Sequence, residues 1–222
     1  GFGRGRIIML KSLSLPKDAG SYGNIDVETE ICKVDQAISQ QRTNLTQQLT
    51  SHGISAVESD ILKAHLSIAS DIELVKKIHN VINAKQLSAS RAIGEAFEYF
   101  SDILQQAQSR LIRERIVDLR DVCSQLLADI YGSPAYEPMM LIEPSVCVAD
   151  SMTPSQFIAL DKRFLSALVL THAGVTSHVV ILARSFGIPV LTGIRDIDAY
   201  FEDGREVIVD ASYGFLIPVI NH

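Results

Sequence analysis

The chain has 222 residues, of which 47% are apolar and 21% charged, and 26 acidic side chains against 20 basic ones give a formal net charge of −6. That length buries a real core in one large domain or two small ones, and the mild acidity argues against a nucleic-acid-binding surface. Cys32, Cys123 and Cys147 are far apart with no C-x-x-C pair, which argues against a disulfide framework or a zinc site. They are expected as buried thiols in a reducing cytoplasm, and no metal site is expected. No apolar run reaches the roughly 18 residues of a membrane span, and the start shows no signal-peptide pattern. A cytoplasmic chain with no membrane or nucleic-acid partner is expected. It begins at Gly1 rather than Met, as an excised piece of a longer protein would.

Taken in chain order, Gly5 to Leu10 is a compact apolar run that reads as a buried strand. Leu13 to Ser21, with Pro16 and Gly20, reads as loop. From about 24 to 131 there is no proline, and the apolar spacing is helical. Val27, Ile31, Val34, Ile38, Leu45 and Leu49 mark one helix face. The chain breaks at Ser51-His52-Gly53. Ser55, with Glu58 three residues on, predicts a capping box for a second helix carrying Val57, Ile61, Leu62, His65, Leu66 and Ile68. Ser70-Asp71 starts a third, bearing Ile72, Val75, Ile78, Val81 and Ile82. Ser88 caps the fourth and longest, which reads as continuous from Ala92 through Leu111 to Ile130 and stops at Tyr131-Gly132-Ser133-Pro134. Two long helices flanking two shorter ones predict an antiparallel bundle.

From about 139 the pattern changes to short apolar runs, read as strands at Met140–Ile142, Val146–Val148, Ala167–Leu170, Pro189–Leu191, Val207–Val209 and Phe215–Ile217. Helices are predicted over Pro154–Leu160 and Ser177–Ser185, which makes an α/β domain. The opening strand has no sheet partner nearby, so it is expected to join this later sheet. The helical stretch, 23–134, is then an insertion in an α/β domain built from 1–22 and 135–222.

Thr171-His172-Ala173-Gly174-Val175-Thr176-Ser177-His178 leads from a predicted strand into a predicted helix. Gly174 permits a tight turn, Thr176 or Ser177 caps the helix, and His178 sits in its first turn. Unpaired N–H groups and the positive end of the dipole favour an anion there. They disfavour a cationic imidazole, which leaves the neutral, nucleophilic ring available. By position alone, a histidine that merely caps or packs is the other reading.

The string from Gly174 through Thr176-Ser177-His178 to Ala183-Arg184, continuing to Gly187-Ile188-Pro189 and Thr192-Gly193, resembles the active-site motif of the phosphohistidine swivelling domain. Enzyme I of the bacterial sugar phosphotransferase system, phosphoenolpyruvate synthase and pyruvate phosphate dikinase share that domain. Only Enzyme I carries a helical insertion in it, the docking site for the phosphocarrier HPr. Ala64-His65-Leu66-Ser67-Ile68 with Asp71-Ile72-Glu73-Leu74, Arg113-Glu114-Arg115 with Asp118-Leu119-Arg120-Asp121, and Ala149 to Ser155 are similar to Enzyme I segments.

The resemblance implies that His178 takes phosphate from phosphoenolpyruvate through Nε2 and passes it to the histidine of HPr, and that the Thr153 hydroxyl orients the ring, beside its alternative role as a helix cap. Gly174, Thr176 and Ser177 form the loop, and Arg184 matches the arginine closing the motif, to hold phosphate or to pair with a carboxylate. His65, Leu66, Ser67, Ile68, Leu74 and Arg115 fall where Enzyme I meets HPr, or are ordinary bundle surface and core. Ala173-Gly174-Val175 stands where Enzyme I has Gly-Gly-Arg, which removes a cation able to neutralise phosphate, and His172 is extra. The hairpin is less acidic than an HPr-docking face.

No cofactor is expected in this chain. The resemblance places magnesium and phosphoenolpyruvate on a C-terminal (β/α) barrel absent here, and places dimerisation there too, so a monomer exchanging phosphate with HPr or an HPr-like carrier is expected. Alternatives are a module of a fused multiphosphoryl transfer protein or of the dihydroxyacetone kinase phosphotransferase subunit, and a non-catalytic docking or regulatory module.

Overall fold

The structure, a computed structural model, describes residues 1–10, 15, 24–132, 135–136, 139–175 and 177–220. By internal contacts the chain falls into two compact units, Ser14–Ala135 and the paired segments Gly1–Leu13 with Tyr136–His222.

The first unit is helical, with α1 (Val27–Leu49), α2 (Ala56–Ala69), α3 (Ile72–Lys85), α4 (Ala89–Gln105) and α5 (Arg110–Tyr131). The local signals act as their chemistry dictates. Ser55 Oγ accepts the Glu58 N–H at 3.2 Å while the Glu58 carboxylate accepts the Ser55 N–H at 2.8 Å, and Asp71 caps α3 by accepting the Glu73 N–H. Gly132 ends α5 in the left-handed region at φ 68°, where a Cβ is costly. Val34, Ile38, Ile78, Ile82, Ile93, Val122 and Leu126 share one dry core.

The fourth helix is not continuous, contrary to the sequence reading. It ends at Gln105, and α5 begins at Arg110 after an interruption whose carbonyls, Ala107 and Gln108, accept from Arg113 Nη1 at 2.6 and 3.0 Å. The reason is burial. The α4 stripe of Ala92, Ile93 and Ala96 and the α5 stripe of Leu119, Val122 and Leu126 reach the same core only if the chain folds back on itself. Each stripe keeps helical period on its own side of the break, so periodicity alone does not reveal the turn.

Glu30 on α1 ties this unit together. Its carboxylate accepts the N–H of Ala89, the first residue of α4, at 2.7 Å and pairs with Lys33 at 2.6 Å. Burial raises its pKa, but the Ala89 N–H and the Lys33 ammonium outweigh burial and hold it below the usual carboxylate value. A depressed folded pKa contributes stability above the unfolded pKa that is lost as pH falls through the folded one. Glu30→Gln is therefore expected to cost about 1–2 kcal/mol at pH 7, the worth of a helix cap. In urea melts the gap between variant and wild type should close as the pH is taken below the ordinary glutamate range.

The second unit is a six-stranded sheet in the order β4-β3-β2-β1-β5-β6, built from β1 (Phe2–Met9), β2 (Ser145–Ala149), β3 (Leu165–Leu170), β4 (Val190–Thr192), β5 (Glu206–Asp210) and β6 (Phe215–Pro218). The opening strand pairs parallel with β2, Ile7 opposite Val146, and antiparallel with β5, Gly5 opposite Val207. β2, β3 and β4 are parallel, connected through α6 (Pro154–Ala159) and α7 (His178–Ser185). Their strands are buried on both faces, which is why they read as unbroken apolar runs. Val146, Val148, Val169 and Leu191 join one core, while the alternating Cys147, Leu168 and Leu170 are equally buried.

Two further expectations differ. Met140–Ile142 is not a strand: only Leu141 is buried, and the pairing there is a single bridge from Met139 to Leu160. The structure also has a short helix that the sequence pattern does not predict, α8 (Ile197–Tyr200), whose Ile197 plugs the sheet core.

Of the cysteines, Cys123 and Cys147 are buried as expected, but Cys32 is exposed on α1. Burial pushes the Cys123 and Cys147 thiols up to about 12, so neither forms a reactive thiolate at pH 8. Iodoacetamide at that pH should alkylate Cys32 alone in the folded protein and all three after denaturation, as read by intact mass.

Candidate functional site

Parallel strands present their C-terminal ends along one edge of the sheet, where open α/β folds place their ligands. The β2–β3 ladder runs past both strands, with Thr171 N donating to Ala149 O at 3.0 Å and His172 N to Asp150 O at 2.9 Å. The start of α6 and the start of α7 therefore lie at this edge.

Thr153 begins α6. Its Oγ1 accepts the Gln156 N–H at 3.1 Å and its own N–H donates to Gln156 Oε1 at 2.9 Å, a capping box around a fully buried threonine. The cap reading of Thr153 is thus what the side chain does here. A hydroxyl oxygen has a second lone pair and a proton of its own, so the cap leaves capacity for an imidazole nitrogen.

The approach to α7 is a turn closed by the Ser177 N–H on the Gly174 carbonyl at 3.1 Å. Gly174 is buried and Val175 exposed, while Thr176 lies outside the described residues. Ser177 is the N-cap residue and half-buried His178 the first residue of the helix. The cap is unusual in one respect. Ser177 makes no side-chain capping bond, and its Oγ is sealed from solvent with no hydrogen-bond partner. A buried hydroxyl left unpaired costs free energy, and an anion at this helix start would satisfy it together with the first-turn amides.

Val179, Val180, Leu182 and Ala183 are buried and fix the helix, and Gly187 ends it at φ 73°. α6 and α7 pack against each other. Phe157 and Phe186 meet edge-to-face at 5.7 Å. Lys162 lies 4.9 and 5.6 Å from those rings and donates to the Phe157, Ile158 and Leu160 carbonyls. Burial draws the Lys162 pKa down, against the pull of Asp161. This clasp leaves both helix starts at the sheet edge.

Arg184 is six residues beyond His178, about 9 Å along the axis and 240° around it. It is exposed in the last turn and pairs with no carboxylate among the described residues. The structure thus does not bring Arg184 to His178, and its charge faces the helix C-terminus instead.

Asp150, Thr171 and His172 form a cluster at the same edge. Thr171 Oγ1 donates to Asp150 Oδ1 at 2.8 Å and lies 2.9 Å from His172 Nδ1, which is 3.6 Å from the same carboxylate oxygen. The sequence reading gave Asp150 and Thr171 no role, because the contact joins residues 21 apart that only the strand pairing aligns.

In the helical unit the six residues proposed for partner contact separate. Ser67 and Arg115 are exposed, and Leu66 and Ile68 are half-buried against the core. His65 and Leu74 are only 7% and 4% exposed, where the core alternative places them. Leu74 belongs to the bundle core, and His65 Nε2 sits 3.5 Å from Asp118 Oδ1 and 3.7 Å from Asp121 Oδ2. Among the described residues no group of three His, Cys, Asp or Glu side chains is placed to hold a metal ion, and no helix is long and apolar enough to cross a membrane.

Residues 1–115 match the family model described as PEP-utilising enzyme, N-terminal, and residues 141–214 match PEP-utilising enzyme, mobile domain. Over 207 residues the chain is 39% identical to Multiphosphoryl transfer protein 2 of Escherichia coli (strain K12), an alignment covering 90% of this chain and 24% of that protein. Over 195 residues it is 30% identical to Phosphoenolpyruvate-protein phosphotransferase of Geobacillus stearothermophilus, covering 86% and 34%. The chain therefore spans about a third or less of the length of these relatives. Among solved structures, the NMR solution structure of Enzyme I (nEIt) aligns at TM-score 0.60 and 26% identity, covering 98% of this chain and 89% of that one. The N-terminal domain of Enzyme 1 - Nitrogen aligns at 0.57 over 98% and 90%; at 20% identity it shows the fold alone.

Proposed function

For a chain that belongs to the PEP-utilising enzyme family through both its N-terminal and its mobile domain, we propose that His178 is a phosphoryl-carrying histidine that exchanges phosphate with a histidine phosphocarrier of the HPr type. The observation that carries this reading is the start of α7, where His178 follows a sealed, unpartnered Ser177 hydroxyl at a helix N-terminus.

The chemistry is in-line phosphoryl transfer. The lone pair of neutral His178 Nε2 attacks phosphorus, the new N–P bond forms as the carrier's N–P bond breaks, and the departing imidazole keeps the electron pair. Ser177 Oγ–H and the first-turn amides of α7 take the phosphoryl oxygens, replacing water with fixed donors. Thr153 Oγ1, already ordered by Gln156, offers its second lone pair to Nδ1–H, which fixes the tautomer that leaves Nε2 free. Positioning and electrostatics carry most of the rate in such a reaction.

Phosphoenolpyruvate and its magnesium belong, in this reading, to a barrel domain of the whole protein, and no step here is routed through a metal. Ser67, Arg115 and the exposed flanks of Leu66 and Ile68 are the side chains offered to the carrier. The higher identity to the multiphosphoryl transfer protein, 39% against 30%, favours a fused protein as parent.

The test mixes this chain with phosphorylated HPr, follows acid-labile phosphate by intact mass and phosphorus NMR, and maps the modified peptide. Phosphate on His178 is the expected result. With several carriers tried and the fold intact, an unmodified chain would overturn the reading and leave a docking module in its place.

A further inference from the structure

Resting on that reading, we infer that Lys162 is a positioning residue for phosphoryl transfer. It clasps the ends of α6 and α7 together, and so keeps Thr153 and His178 in register at the starts of the same two helices. Lys162 follows α6 by three residues, and its ammonium donates to the Phe157, Ile158 and Leu160 carbonyls at 2.9, 2.8 and 3.0 Å. A helix end leaves such carbonyls open. Three donors meet three acceptors, so the ammonium is fully used. Its neighbour Asp161 is engaged by Arg163, whose guanidinium donates to both carboxylate oxygens. The same ammonium lies 4.9 Å from the ring of Phe157, which is fully buried in α6, and 5.6 Å from the ring of Phe186, the C-cap of α7. Phe186 is half exposed, so Phe157 and Lys162 hold its ring from one side.

α6 and α7 have six and eight residues, and helices so short are not stable alone. Burial of Val179, Val180, Leu182 and Ala183 presses α7 onto its surroundings, but apolar burial is non-directional. It leaves α7 free to slide or roll against α6. The ammonium and the edge-to-face rings supply the directional contacts that oppose such a slip. Both helices connect parallel strands and run in the same sense, so clasping their ends sets the alignment of their starts. Thr153 lies about one turn before Phe157, and His178 lies eight residues, about 12 Å, before Phe186. A slip at the clasp is carried along the helices to the Thr153 hydroxyl and the His178 ring. Lys162 acts through the helices and takes no part in bond making.

Lys162→Met keeps an apolar stem over the rings and removes the ammonium. With phosphorylated HPr, its single-turnover rate at saturating carrier should fall about tenfold, within the loss that a misplacement of about 1 Å brings. The carrier concentration giving half that rate should stay within about twofold of wild type, because the side chains offered to the carrier belong to the helical unit. Lys162→Arg, which keeps a cation over the rings, should recover most of the rate. Phe186→Leu should slow transfer about threefold, the worth of an aromatic pair. Combined with Lys162→Met it should add little, since both act through one contact. On unphosphorylated chains at about pH 8.5, where an ordinary imidazole is neutral, nitrogen NMR should find Nδ1 of His178 protonated in wild type and a mixture of tautomers in Lys162→Met. A residue that only caps α6 would lower the melting temperature and move neither rate nor tautomer. An unchanged rate and tautomer in folded Lys162→Met overturns the inference, as do two substitutions whose effects multiply or a mixed tautomer already in wild type. Should Lys162→Met fail to fold, an unchanged rate and tautomer in Phe186→Leu overturns it instead. A wild type that takes no phosphate brings down the phosphohistidine reading, while the tautomer comparison still decides whether the clasp orients the ring.

Discussion

His178→Ala should abolish phosphoryl acquisition, lowering its rate by at least about a thousandfold, as loss of a nucleophile does, while the fold stays intact. The side chain is half-buried at the first position of α7, where alanine is a good helix former. The helix is held by Val179, Val180, Leu182 and Ala183, all buried, so stability should change by no more than about 1 kcal/mol. Ser177→Ala separates binding of the phosphoryl group from capping. An N-cap serine normally contributes about 1 kcal/mol through its side-chain bond, but Ser177 makes none. Its removal should hold or slightly raise the melting temperature, since an unpaired buried hydroxyl is lost, and slow transfer about tenfold, the effect of losing one donor to the phosphoryl oxygens. Quenched-flow transfer from phosphorylated HPr, beside thermal melts, reads both. A Ser177→Ala variant that loses stability and keeps its rate would show a structural cap and no phosphoryl contact.

Gly5→Ala and Gly3→Ala should each destabilise the sheet unit by about 3 kcal/mol or more, the upper range for overpacking. β2 begins only opposite Arg6, so neighbouring backbone crosses closely over the first half of β1. A Cβ on Gly5 would lie 2.4 Å from the Pro144 carbonyl oxygen, and one on Gly3 would lie 2.2 Å from that of Ser166. The obstructing atoms are backbone, which cannot rotate away as a side chain can. Gly94 in α4 is the control: a Cβ there meets nothing within 4 Å, and Gly94→Ala should stabilise by about 0.5–1 kcal/mol through helix propensity. Urea melts of the three variants give the comparison directly, and equal effects at all three positions would refute the close-approach argument.

Local chemistry was legible in the amino-acid sequence. Ser55 with Glu58, Asp71, Ser88 and Gly132 announce helix ends because the partners of a cap lie within a few residues. The buried strands of the parallel sheet announce themselves because both faces must be apolar. The loop from Gly174 to His178 is legible for the same reason, since its turn, cap and helix start are contiguous. Its likeness to a known phosphohistidine site is carried by the same short string.

What the tertiary structure decided involves residues distant in sequence. The fold-back at Gln106–Ser109 follows from two stripes competing for one core, and a helical period does not record which side of a turn it lies on. His65 falls on the apolar face read for the second helix while Leu74 falls outside the face read for the third, and packing of α2 and α3 in the bundle buries both. Arg184 is near His178 along the chain yet turned away by the helix between them. Asp150 reaches Thr171 and His172 only because β2 and β3 pair in register. Sequence alone determines capping, periodicity and the local setting of His178, because those energies are settled within one helical turn. Burial and charge neighbours are set by contacts across the sheet and bundle, so the field around His178 is a property of the folded molecule.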